Sequence, residues 1–147
     1  MCCIDGSQNS LRALNSAKHM LNPSTNDILL IIHCCSKHSP NQSSNKSNEA
    51  AHGDILFTSA HALQDEAMKR IKDDPTVTVD MNNIKYMNID ITDDIDIRDK
   101  LIELIHEYSI DYLFIGRRGY SRANKLYIGS TAHYMLHHAP VNVVLVK

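Results

Sequence analysis

The residues best suited to chemistry lie between positions 116 and 131, GRRGYSRANKLYIGST. Gly116, Gly119 and Gly129 are spaced by two and then nine residues, and the hydroxyls of Ser130 and Thr131 follow at once. An apolar run over 112–115 precedes this stretch, and a segment of helical character over 132–138 follows it. A strand ending in glycine, a loop with two arginines, and Gly-Ser-Thr opening a helix would gather backbone N–H groups around one anion. The first N–H groups of a helix lack internal acceptors, and the helix dipole favours negative charge there. Glycine serves where the backbone must approach a ligand closely. Any strand-to-helix connection also uses glycine, so GxxG alone is weak. The weight here comes from three of the chain's five glycines falling in these few residues.

The same stretch carries Arg117, Arg118, Arg122 and Lys125, which add charge, although loop arginines are commonly just solvated. Phosphoryl transfer needs a positioned nucleophile, a charge clamp and usually a divalent metal. No Walker A lysine follows the glycines, and no acidic residue within the loop is there to hold Mg2+. Any hydrolysis is therefore expected to be slow at most, and no catalytic residue is assigned. His133 and His137 stand four apart on the last helix, a spacing metal ligands use, but without a Cys or Glu partner nearby. His38, His52 and His61 form no recognisable pattern. Four cysteines come as two neighbouring pairs, Cys2-Cys3 and Cys34-Cys35, in predicted strands. His33 and His38 lie near the second pair, but with neither CxxC nor zinc-finger spacing the cysteines read as buried apolar thiols.

The 147 residues amount to one expected domain, 1–147, large enough for a real core. The net charge of −2 gives no global basic field for nucleic acid or an anionic membrane. No apolar run approaches the ~20 residues that span a bilayer, and the first ten residues show no signal-peptide pattern. A cytoplasmic protein with reduced thiols is the expectation.

The elements that would position the loop can be read in order. Residues 1–4 are a short strand running into Asp5-Gly6-Ser7, with a helix begun by Ser7 or Asn9 and carrying Leu11, Leu14, Ala17 and Leu21 on one face. Pro23 and Asn26 end it. Residues 27–35 are apolar throughout the middle, as a central strand covered on both faces requires. The Ser-, Asn- and Lys-rich stretch 36–48 reads as a surface loop. A helix over about 49–71 follows, with Ile55, Leu56, Leu63, Ala67 and Ile71 inside. Residues 77–81 are either an edge strand or extended loop, and 84–89 are the third strand. Thr92-Asp93-Asp94 is expected to cap a helix whose inner face is Ile97, Leu101, Leu104, Ile105 and Tyr108. Residues 111–115 form the fourth strand and 141–146 the fifth. The βαβαβαβαβ order implies a five-stranded parallel sheet with helices on both faces. In a doubly wound sheet of order 3-2-1-4-5, winding reverses between strands 1 and 4, and ligands bind outside the carboxyl ends there. Asp5 and Gly116 end those two strands.

The glycine spacing, the opening Ile4-Asp5-Gly6-Ser7, the Leu30-Ile31-Ile32-His33 strand, and the ending His138-Ala139-Pro140-Val141 with Val143-Val144-Leu145-Val146 resemble the universal stress protein family over nearly the whole chain. GxxG, nine residues, then Gly-Ser is similar to the mark of its ATP-binding branch. The resemblance implies an adenine nucleotide alpha hydrolase-like fold, a stress-response role and a homodimer. It places Asp5 and the backbone of Cys34 at the adenine, Cys3 near the ribose, and Ile115 and Gly116 against the nucleoside. Gly116 and Gly119 would lie along the first phosphates, and Gly129, Ser130 and Thr131 around the terminal ones, with Arg118 a further ligand-binding candidate for its charge. The implied ligand is ATP, or AMP or ADP, with Mg2+ or Mn2+, and the implied dimer contact is strand 141–146, which would be a sheet edge.

Three features depart from the family's pattern: the first strand is short, the 36–48 loop lies near the expected mouth of the site, and Asn142 stands where proline or a small residue is usual. The leading expectation is a nucleotide sensor or regulator. The alternatives are a dimeric interaction module that keeps the fold without the nucleotide, and a slow ATP hydrolase or a phosphoryl- or adenylyl-transferase.

Overall fold

The computed structural model describes residues 1–36, 60–91, 95–119 and 128–147. Five strands form one parallel sheet: β1 (Cys2–Ile4), β2 (Leu29–Ser36), β3 (Ile84–Ile91), β4 (Tyr112–Gly116) and β5 (Asn142–Val146), in the order β3-β2-β1-β4-β5. This is the doubly wound arrangement expected from the alternation of elements. The helices are α1 (Gln8–His19), α2 (Ala60–Lys72), α3 (Ile97–Glu107) and α4 (Ser130–His138).

Alternation along the central strands divides the core in two, since successive side chains of a strand point to opposite faces. Cys2, Ile4, Leu29, Ile31 and Phe114 face Leu11, Leu14 and Ala17 of α1 and Leu63, Ala67 and Ile71 of α2. Leu30, Ile32, Leu113 and Ile115 face Leu101, Leu104 and Ile105 of α3 and Ala132 and Met135 of α4. A strand apolar on both faces therefore has a helix pair waiting on each side. Truncating one of these buried leucines to alanine costs about 2–5 kcal/mol.

Several boundaries differ from the sequence reading. β1 has three residues, yet it pairs with both neighbours, Cys2 opposite Ile31 and Phe114 and Cys3 opposite Ile32 and Ile115, so its shortness leaves Asp5 firmly sited. Ser7, not Asn9, caps α1, its Oγ accepting from the Ser10 N–H at 3.3 Å. Asp96 caps α3, accepting from the Arg98 N–H at 2.8 Å, whereas the expected cap at 92–94 lies outside the described residues. Tyr108 belongs to the end of α3 and is 40% exposed, because the helix stops there and its inner stripe ends with Ile105. Residues 77–81 are not a strand: Val77 closes a turn by donating to the Asp74 carbonyl, and Val77 and Val79 pack on the core as extended chain. The expected helical start over 49–59, with Ile55 and Leu56, and the expected loop beyond Ser36 lie outside the described residues.

One buried cation ties α1 to the end of α2. Lys18, 6% exposed, donates to the Arg70 carbonyl and pairs with Asp74 at 2.7 Å. Hydrogen bonds from Lys18 and Thr76 hold the Asp74 carboxyl well below the usual carboxylate range, and Arg98 holds Asp96 down at about 2. Carboxyls depressed on folding stabilise above the unfolded value of about 4, and that stabilisation is lost as pH falls through the folded values. Stability should therefore drop from about pH 4 downward. Asp74→Asn should destabilise more at pH 7 than Lys18→Met, because it strands a buried ammonium. The gap between wild type and Asp74→Asn in denaturant melts should narrow as pH is lowered from 7 to 2, and a gap independent of pH would refute this account.

Candidate functional site

The reversal of winding falls between β1 and β4, whose carboxyl ends are Ile4 and Gly116. There the turn after β1 meets the loop after β4. Gly6 has φ of 82°, a left-handed conformation that glycine enters without strain, and it turns the chain from β1 into α1. The Asp5 carboxylate accepts the Ser7 N–H on Oδ1 at 2.9 Å, and the Asp5 N–H donates to the Ser10 hydroxyl at 3.3 Å.

Gly116 lies flush against the start of α1. A Cβ on it would fall 2.7 Å from the Ser10 nitrogen and 2.8 Å from the Asn9 carbonyl carbon, both backbone atoms that cannot step aside. A Cβ on Gly119 would collide with Asp5 Oδ2, so the carboxylate sits directly against the loop. Gly129 is different. A Cβ there would meet only ordinary contacts at 3.6 Å, with Arg117 and Arg118.

The ends of the 117–129 segment are drawn together, since the Gly129 N–H donates to the Arg117 carbonyl at 2.9 Å and the Arg117 N–H to the Val146 carbonyl at 2.6 Å. Gly129 is the N-cap of α4 and offers no side-chain cap. The first intrahelical bond runs from the His133 N–H to the Gly129 carbonyl at 2.8 Å. The N–H groups of Ser130, Thr131 and Ala132 thus precede the helical ladder and, with the helix dipole behind them, favour an anion in front of α4.

These pieces surround one cleft of about 250 Å3. Its lining includes all ten residues singled out from the sequence: Cys3, Asp5, Cys34, Ile115, Gly116, Arg118, Gly119, Gly129, Ser130 and Thr131. It also includes Ile4, Ser10, Ile32, Ile97, Leu101 and Ala132, which the sequence reading left out. Ile97 and Leu101 were legible as an apolar helix stripe, but a stripe reads as core whether or not part of it borders a cleft. The volume lies just under the ~300–1,000 Å3 typical of small-molecule sites, enough to seat a flat ring with its polar tail along the loop. A larger hollow of about 530 Å3 lies at the opposite, amino end of the sheet, bordered by Met20, Ile28, Tyr108 and Tyr112, but it has no glycine loop.

Burial disfavours the thiolate at the end of β1. Burial pushes Cys2 up to about 12 and Cys3 well above its ordinary value, the latter with help from the Cys2 and Cys34 thiols. Cys2, Cys3 and Cys34 are thiols rather than half-cystines. His133 and His137 do share a face, their ring centroids 4.7 Å apart, while among the described residues no three His, Cys, Asp or Glu side chains converge on a metal position. Arg122, Lys125, His38 and His52 lie outside the described residues. Among the described residues no helix is long and apolar enough to cross a membrane.

A parallel sheet of order β3-β2-β1-β4-β5 with helices around it and a cleft at its switch point defines a doubly wound α/β domain. The profile of the universal stress protein family matches residues 1–147, and the chain belongs to that family. Its fold is similar to that of a universal stress protein UspA from Lactobacillus plantarum (TM-score 0.66, 16% identity, 99% of this chain and 94% of that one). It is similar also to a universal stress protein in complex with cAMP (TM-score 0.67, 22% identity, 99% and 94%) and to one from Archaeoglobus fulgidus (TM-score 0.53, 16% identity, 99% and 96%). By sequence alone, no curated protein matches the chain.

The glycines differ in how tightly they are packed. Gly116→Ala should destabilise the fold by about 1–3 kcal/mol through overpacking against backbone. Gly129→Ala should leave the melting temperature within a degree or two, since its Cβ has room. Thermal melts of the two variants check this, and equal losses would show that Gly129 is as tightly packed as Gly116.

Proposed function

We infer that this universal stress protein binds an adenine nucleotide in the switch-point cleft and acts as a nucleotide-dependent regulator. The single observation that carries the reading is the uncapped start of α4 at Gly129, opening on the same cleft as the Asp5 carboxylate and an apolar wall of Ile32, Ile97, Leu101 and Ile115. A purine is a flat apolar ring with polar edges, and a phosphate chain is the anion such a helix start favours. Asp5 would accept from a ribose hydroxyl or the adenine amino group, which a carboxylate can do because it is acceptor-only when ionised. Ser130 and Thr131 would add hydroxyl donors to their N–H groups at the phosphates, and Arg118 stands at the loop. The structural neighbour that holds cAMP supports an adenine nucleotide as the class.

The fit is best for ATP, ADP or AMP, whose terminal phosphates can reach α4. Mg2+ or Mn2+ would be held chiefly by the phosphates, since Asp5 is the one carboxylate bordering the cleft among the described residues. A cytoplasmic setting suits protonated thiols at Cys2 and Cys3. We also propose a homodimer through β5, which pairs with β4 and is the last strand of the sheet among the described residues. β5 amides that gain protection from hydrogen exchange as protein concentration rises would support the dimer, and protection independent of concentration would sink it.

At 100 times its dissociation constant, bound ATP adds ~2.7 kcal/mol of stability, which for a domain of this size raises the melting temperature by roughly 5–10 °C. Gly129→Ala should lose most of that shift while melting normally without ligand. If ATP, ADP, AMP and cAMP at millimolar concentration with Mg2+ all leave the wild-type melt unmoved, the nucleotide reading is wrong.

A further inference from the structure

We propose that Ser7 is the positioning residue for the glycine loop: its hydroxyl latches the loop after β4 to the turn after β1, and thereby sets where the phosphates of a bound nucleotide sit. The assignment rests on the nucleotide reading above. Ser7 is 4% exposed and lies outside the cleft lining, so it is not a ligand contact.

One residue, through its backbone N–H and its hydroxyl, joins three parts of the site. The Ser7 N–H donates to Asp5 Oδ1 at 2.9 Å and fixes that carboxylate. The Ser7 Oγ accepts from the Ser10 N–H at 3.3 Å, capping α1, and donates its single proton to the Arg118 carbonyl at 3.2 Å. A hydroxyl offers one donor and two acceptor lone pairs, so these roles are compatible. Arg118 immediately precedes Gly119, which in turn rests on Asp5 Oδ2. The loop is therefore held against the first turn at two adjacent residues, by a hydrogen bond at Arg118 and by contact at Gly119. Gly116 packed on Ser10 fixes where the loop departs from the sheet, and the bond from Gly129 to Arg117 fixes where it returns. The Ser7 hydroxyl is a side-chain tie at Arg118, between these two points. Helix capping alone would be met by Asn or Asp, whereas an aspartate at this position could not donate to a carbonyl.

Loosening this latch should affect the phosphate end of the ligand and spare the nucleoside end. Ser7→Gly removes the hydroxyl at little cost to the cap, and Ser7→Thr keeps a hydroxyl. Affinities for ATP and for adenosine would be measured by calorimetry on wild type and both variants, with amide exchange of 116–119 followed without ligand. Expected are an ATP affinity lowered tenfold or more in Ser7→Gly, an adenosine affinity changed less than threefold, faster exchange at 116–119, and recovery in Ser7→Thr. Parallel loss of ATP and adenosine binding, or no loss of either, would overturn the assignment while leaving the nucleotide reading intact. A Ser7→Gly variant too unstable to assay would make Ser7 a folding residue and overturn it too. A wild type that binds neither ligand would instead remove the nucleotide reading, and this assignment with it.

Discussion

The contact on which the site depends is the close approach of two backbones, that of Gly116 at the end of β4 and that of Asn9 and Ser10 in the first turn of α1. A parallel sheet that reverses its winding leaves a gap between the two strands at the reversal, because the helices leaving them depart to opposite faces. Here α1 leaves toward one face and the chain after β4 returns through α4 on the other. Pressing α1 onto Gly116 closes the lower part of that gap, so that only its mouth stays open as a cleft. A side chain at 116 would wedge the first turn away, and with it Asp5 and the Ser7 bond to Arg118.

The division of amides follows from this closure. Reading helix α4 from its sequence puts Gly129 among the donors to a phosphate, but in the fold its N–H is already taken by Arg117. The N–H groups that precede the helical ladder begin one residue further on, at Ser130, Thr131 and Ala132. Gly129 thus ties the chain back to Arg117 through its N–H, and the helix dipole acts through the residues that follow it. Glycine at the cap costs the helix only a few tenths of a kcal/mol, and the lack of a side-chain cap leaves those N–H groups open at the start of α4.

Much of this was legible in the residues because two independent periodicities agreed. The doubly apolar runs 29–32 and 113–115 fit central strands and the 3.6-residue stripes of α1 and α3 fit helices lying on a sheet, so a parallel alternating sheet followed, and the order 3-2-1-4-5 was the doubly wound case of it. Convergence of Asp5 with the glycines followed in turn from topology. Other features were hidden for physical reasons. Residues 77–81 alternate like a strand because Val77 and Val79 do bury against the core, yet the turn from Asp74 and the Asp80-capped turn at 81–83 leave no partner strand for them to join. Tyr108 continues the heptad of α3, but helix length is decided at the C-cap, which periodicity does not report. Ile97 and Leu101 look like core because half of their surroundings are core.

The latch at Ser7 belongs to a third category, invisible to any pattern of hydrophobicity or charge. Asp-Gly-Ser reads as a turn followed by a cap, and it is both; the Asx-type bond from the Ser7 N–H to Asp5 and the cap to Ser10 are local and predictable from spacing. The bond to Arg118 spans 111 residues of sequence, and only the pairing of β1 with β4 brings its partners together. A serine in this place can cap, and it can also donate outward. Asp, an equally good cap, cannot donate, so the choice of residue carries information that the helix alone does not require. The part of the site that governs geometry is thus written as a substitution between near-equivalent caps, where composition and periodicity have nothing to detect.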